Sequence, residues 1–125
     1  MKKILVVDDE RAIRDLLKEK LEKSNFTVTV ASSGQEALTI CKEEPPDLLL
    51  LDIAMPGIDG YQTCEKLKQD HKTKDIPVLF LTGKELAPDG VIEHCRNLGA
   101  RGHISKLSTL RELLSKIEEI IKSAE

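Results

Sequence analysis

Aromatic side chains are nearly absent from this chain: of 125 residues, two are Phe, one is Tyr and none is Trp. Proteins that hold single-stranded nucleic acid stack its bases on such rings, and three rings make no platform. No basic block compensates. Acids outnumber Lys and Arg by 22 to 19, for a formal net charge of −3, so the electrostatic footprint of a nucleic-acid binder is missing too. Long apolar runs are also lacking. Nothing approaches the roughly 20 residues of a membrane span, and the four apolar residues after Lys2-Lys3 are too few for a secretory signal. Cys41, Cys64 and Cys95 are an odd number without C-x-x-C spacing, which reads as buried reduced thiols. These absences leave a mildly acidic cytoplasmic protein of one domain, residues 1–125, with no nucleic-acid or membrane partner.

What is present centres on Pro46 to Tyr61, P-D-L-L-L-L-D-I-A-M-P-G-I-D-G-Y. Leu48 to Leu51 run without a polar break into Asp52, the pattern of a strand buried on both faces, as in a parallel sheet. Met55-Pro56-Gly57 and Asp59-Gly60 are turn chemistry. Asp52 therefore ends a central strand, and open parallel sheets bind ligands beyond the carboxyl ends of their strands.

Along the rest of the chain, strand and helix patterns alternate. Ile4 to Val7 is β-branched-rich and stops at Asp8-Asp9-Glu10. Arg11 to Lys23 places Ile13, Leu16, Leu17 and Leu21 at helical spacing, with Ser24-Asn25 as a stop. Thr27 to Ala31 alternates as an edge strand does. Ser33 and Glu36 have the spacing of a capping box, opening a helix to about Glu43 that Pro45-Pro46 ends. Asp59 can cap a helix that puts Tyr61, Cys64 and Leu67 on one face. Ile76 to Leu81 reads as a strand with Pro77 near its start. A helix is expected from Val91 to Leu98, with Gly99 as its stop. Gly102 to Ser105 is a short strand ending in Lys106, and Leu110, Leu113, Leu114, Ile117, Ile120 and Ile121 keep helical register to the end. The expected fold is α/β: a doubly wound, five-stranded parallel sheet of order 2-1-3-4-5 with five helices on both faces.

In that order the first and third strands are neighbours, so Asp8, Asp9 and Asp52 converge. Uncompensated burial of three carboxylates would cost several kcal/mol. Either one of them takes a raised pKa or a hard divalent cation sits among them. Mg²⁺ suits, because it accepts one or two carboxylates, keeps waters and completes its shell with phosphate oxygens. The fourth and fifth strands bring Thr82 and Lys106 to the same edge, and both bind phosphoryl oxygens. A carboxylate beside Mg²⁺, a lysine and a hydroxyl describes an acceptor for phosphoryl transfer.

The acid pair Asp8-Asp9, the run D-I-A-M-P-G-I-D-G from Asp52, Thr82-Gly83, Gly99-Ala100 and Lys106 together make the chain similar to a response-regulator receiver domain of two-component signalling, over essentially its whole length. The resemblance implies that Asp52 is phosphorylated by a histidine kinase or phosphotransfer protein, and that Asp9 and Asp52 bind Mg²⁺ directly. The Ala54 carbonyl would be a third ligand and Asp8 would act through water. Thr82 would be the switch hydroxyl and Lys106 the phosphoryl clamp. Such a chain is a signalling switch rather than an enzyme. It catalyses its own phosphorylation and slow dephosphorylation, changes its surface for a downstream protein target, and is a monomer or a weak phosphorylation-dependent dimer.

Two positions depart from the family. Leu107 stands where proline, often with a cis bond, follows the lysine, and His103 replaces the switch aromatic of the fifth strand. With leucine a cis bond costs roughly 2.5–4 kcal/mol and would need support, such as Lys106 facing the acids and Leu107 packing under the last helix. A trans bond is expected, with Ser108 or Thr109 capping that helix. Rival readings fare worse. A mononucleotide binder of the same fold should offer glycines or hydroxyls in its first loop, where V-V-D-D-E offers acids. A phosphatase with an aspartyl nucleophile commonly carries a second Asp at the position of Ala54. An interaction module that is never phosphorylated has no use for the full acid set. His71, His94 and His103 form no metal set.

Overall fold

A computed structural model describes residues 1–83 and 88–124. The elements alternate throughout: β1 (Lys3–Val7), α1 (Arg11–Lys23), β2 (Thr27–Ala31), α2 (Gly34–Glu43), β3 (Leu48–Asp52), α3 (Gly60–Lys68), β4 (Val78–Thr82), α4 (Pro88–Asn97), β5 (Gly102–Ser105) and α5 (Leu110–Ala124). The strands form one parallel sheet in the order β2-β1-β3-β4-β5, as expected. Successive side chains of a strand point to opposite faces, and the core divides accordingly. Ile4, Val6, Leu48, Leu50, Leu79 and Leu81 pack with Leu21 of α1 and with Leu113, Ile117, Ile120 and Ile121 of α5. Leu5, Val7, Leu49, Leu51, Val78 and Phe80 pack with Ala37 and Cys41 of α2, Cys64 and Leu67 of α3 and Cys95 of α4.

All four leucines of β3 are fully buried, each worth roughly 1.5–3 kcal/mol over an exposed one. That burial on both faces is what fixes β3 in the middle. β2, at an edge, exposes Thr27 and Thr29. β5, at the other edge, has no fully buried residue.

The helix ends show where local chemistry acts. Ser33 caps α2, accepting from Glu36 N at 3.1 Å, but the reciprocal half of the expected capping box is displaced: the Glu36 carboxylate accepts from Ser32 N instead. Asp59 and Gln62 form a complete box on α3. Thr109, rather than Ser108, caps α5 with Glu112. Asn25 and Gly99, at φ +71° and +83°, close α1 and α4. Each closure carries the paired back-bonds of a Schellman turn.

Several expectations are corrected. α4 starts at Pro88, three residues before Val91, because proline is at home in a first turn, where its missing N–H goes unused. β4 starts at Val78 rather than Ile76, since Ile76 N is still tied to Thr73 O in the preceding turn. Leu16, placed by periodicity on the core face of α1, is 47% exposed, whereas Leu107, at 73% exposed, lacks the packing under α5 that a cis bond would have needed. Among the described residues no peptide bond is cis, so Lys106-Leu107 is trans, as expected, in a turn tied by Leu107 N to Ser105 Oγ at 3.0 Å.

Candidate functional site

The carboxyl ends of β1 and β3 place Asp8 and Asp52 side by side, both almost wholly buried. β3 carries Asp52 to the sheet's edge, and α3 is seated directly behind it. Gly60 N donates to Ile53 O at 2.8 Å, and a Cβ at Gly60 would collide with the Asp52 carbonyl oxygen. Only glycine lets the helix start so close.

Lys106 reaches back over the sheet from the end of β5, where its backbone N donates to Thr82 O at 2.9 Å. Its Nζ stands 2.9 Å from Asp8 Oδ2, 3.1 Å from Asp52 Oδ1 and 3.6 Å from Glu10 Oε1. Asp8 Oδ1 accepts from Glu10 N at 2.9 Å, and the Asp8 carbonyl accepts from Arg14 Nη1 at 2.9 Å. Asp8 Oδ2 has the ammonium as an ion-pair partner without a well-angled hydrogen bond. The other buried oxygen, Asp52 Oδ2, has no hydrogen-bond partner at all. An orphaned buried carboxylate oxygen is costly, and here it belongs to the residue expected to react.

Burial, reinforced by the charge of Asp8, pushes the Asp52 carboxyl up to about 6 against the opposing pull of Lys106. Burial alone would lower Lys106. The close approach of the Asp8 and Asp52 carboxylates outweighs it and holds the ammonium above its ordinary range.

The other expected site residues are less fully assembled. Asp9 is exposed, and its carboxylate groups with those of Asp8 and Glu10, with one oxygen of each lying within 4.8 Å of the others. Ala54 is exposed in the turn after β3. Thr82 is buried, and its hydroxyl donates across the sheet to Ile104 O at 3.4 Å. His103 is half-buried on β5, opposite Phe80 in register. Glu10 is the member that the pattern of paired acids overlooks; the available signal was a third acid in V-V-D-D-E at a helix start that a glutamate side chain does not cap.

The donor set suits Mg²⁺: oxygen ligands only, excess negative charge and one orphaned carboxylate oxygen. Among the described residues no helix is long and apolar enough to cross a membrane.

Comparison with known proteins agrees with this geometry. Residues 4–118 match the response regulator receiver domain family. The chain is 40% identical over 124 residues to the alkaline phosphatase synthesis transcriptional regulatory protein PhoP of Bacillus subtilis, covering 99% of this chain and 50% of that protein. It is 39% identical to the probable transcriptional regulator ycf27 of Cyanophora paradoxa, with the same coverage. It thus spans about half the length of the curated relatives it matches. A solved structure of a putative response regulator from Chloroflexus aurantiacus superimposes with a TM-score of 0.90 at 30% identity, covering 97% of this chain and 98% of that one. The N-terminal domain of a response regulator receiver protein from Methanoculleus marisnigri gives 0.77 at 40% identity, covering 95% of each chain. Five strands in this order, an acid pair and a lysine meeting over Asp52, and a family match across most of the sequence have one meaning: this chain belongs to the response regulator receiver domains.

Proposed function

We propose that this receiver domain is a phosphorylation-activated switch in a His–Asp relay, with Asp52 as the phosphoryl acceptor. The observation that carries the assignment is Asp52 itself. It is a buried strand-end carboxylate with one oxygen held 3.1 Å from an ammonium and the other without a partner. The donor is a phosphohistidine on a histidine kinase or phosphotransfer protein. An Asp52 oxygen forms the new P–O bond while the P–N bond breaks, and the imidazole leaves with that electron pair. Lys106 neutralises charge on the phosphoryl oxygens, and its approach over Asp8 and Asp52 aims it there before the donor arrives. Mg²⁺, which Asp8, Asp9 and Asp52 would hold with the Ala54 carbonyl, supplies charge neutralisation to the same oxygens.

The product is the modified chain, so this is a switch in the cytoplasm rather than a turnover enzyme. Thr82 gives up its long bond to Ile104 O for a phosphoryl oxygen, and His103, next to Ile104 on β5 and opposite Phe80, carries the change to the surface that a downstream protein reads. Treatment with acetyl phosphate and Mg²⁺ is expected to add one phosphoryl mass to the native chain and none to Asp52→Asn. Labelling of that variant at the native rate would overturn the assignment.

A further inference from the structure

Glu10 holds the N-cap position of α1 with extended backbone, yet its side chain makes no capping hydrogen bond. Ser33, Asp59 and Thr109 all cap their helices. A glutamate at this position is a poor choice for helix stability, and its carboxylate is directed elsewhere. It lies 3.6 Å from Lys106 Nζ and groups with Asp8 and Asp9. The ion pair with Lys106 does not explain that direction. Glu10 is 63% exposed, where such pairs stabilise little, and the ammonium already has two closer and better-buried carboxylates.

Charge around the site is unbalanced. Asp8, Asp9, Glu10 and Asp52 supply four carboxylates, and Lys106 is the cation that meets them. Arg14, also near, has its Nη1 on the Asp8 main-chain carbonyl. Asp52, 2% exposed, shares the Lys106 ammonium with Asp8 and Glu10 through one oxygen, and its other oxygen is buried without a hydrogen-bond partner. Independently of the acid cluster, a buried carboxylate oxygen without a partner is one that can accept a cation.

We propose that Glu10 is a further carboxylate of the divalent-cation site, joining Asp8 and Asp9 from the solvent side and raising the affinity of the site for the ion. Glu10 is presented by the same turn as Asp8 and Asp9, and its backbone N–H fixes the Asp8 carboxylate that lies beneath it. One residue thus orients a buried acid through its main chain and adds its own charge above. The inference rests on the phosphoacceptor reading, since that reading is what requires the cation.

The test is direct binding of Mn²⁺, followed by the electron paramagnetic resonance of the free ion with no phosphodonor present. The chains compared are the native protein, Glu10→Gln, Glu10→Asp and Asp15→Asn. Asp15 removes an equal charge on α1 where its only described ion pair is with Arg11. Glu10→Gln is expected to weaken Mn²⁺ binding by roughly tenfold, with Glu10→Asp recovering part of the loss and Asp15→Asn within about twofold of native. Melting without metal checks that each variant is folded. Equal affinities in Glu10→Gln and Asp15→Asn would overturn the proposal, as would a native chain that binds no Mn²⁺. Acetyl phosphate labelling of the native chain separates the two failures. If Asp52 is labelled and Glu10→Gln binds Mn²⁺ normally, only the role of Glu10 falls. If neither labelling nor binding occurs, the phosphoacceptor reading falls with it.

Discussion

Asp52 binds its proton more tightly in the folded chain than in the unfolded one, with its carboxyl moved from 3.8 to about 6. Between those values the folded state holds the extra proton, so stability falls as pH rises through that window. Above about pH 6 the loss is complete and amounts to about 3 kcal/mol. Asp52→Asn is therefore expected to melt higher than the native chain near neutral pH and to lose that advantage below about pH 4. Paired melting curves across pH check both limbs. Lys106→Met should act in the opposite direction, destabilising by several kcal/mol near neutral pH because two buried carboxylates lose their counter-charge, and less in acid, where Asp52 is protonated. Much of this was legible in the sequence, because strand-end carboxylates in a parallel sheet must meet. The direction of a side chain was not: Glu10 and Asp9 are adjacent acids, and only the turn's geometry decides that both face the Asp8 carboxylate. Leu16 shows the same limit, since helical periodicity selects a stripe but not how far the neighbouring α5 covers it.

At the scale of the element, α3 is the piece most tightly bound to the chemistry. Its first residue, Gly60, is pressed against the Asp52 main chain, and its cap, Asp59, sits in a complete box with Gln62. Gly60→Ala is expected to cost about 1–3 kcal/mol, because the helix must back away from backbone rather than from a flexible side chain. The same retreat should slow acetyl phosphate labelling of Asp52. Asp59→Ala should cost only about 1 kcal/mol and leave labelling close to native. Chemical denaturation and intact mass measure the two effects side by side. The core-facing helices could be read from the sequence because their apolar stripes are long, as in α5. The starts of α4 and β4 could not, because Pro77 and Pro88 each allow a boundary on either side, and tertiary packing chooses.

For the whole molecule, the sheet order β2-β1-β3-β4-β5 brings Asp8-Asp9, Asp52 and Lys106, from the ends of three strands distant in sequence, to one edge. A ligand at that edge binds the folded chain alone, so it must stabilise the fold as a whole. Saturating Mg²⁺, at about a hundred times its dissociation constant, should add roughly 2.7 kcal/mol, and Asp52→Asn should show a smaller gain. Calorimetry with and without the ion checks this; equal gains would mean that Asp52 contributes nothing to holding it. Strand order could be anticipated because β3 is apolar on both faces and β2 alternates, which leaves few places for either.

The three thiols have a consequence of another kind. Cys41, Cys64 and Cys95 lie on three different helices, all under one side of the sheet, and all are buried. Burial pushes Cys41 and Cys64 up to about 11, so at neutral pH they are protonated as well as covered, and a thiol reagent must wait for the protein to open. The opposite side, under α1 and α5, has no cysteine. The native chain is thus its own stopwatch for one side only: the rate at which it consumes a thiol reagent counts the openings of α2, α3 and α4, and motions of α1 and α5 pass unrecorded.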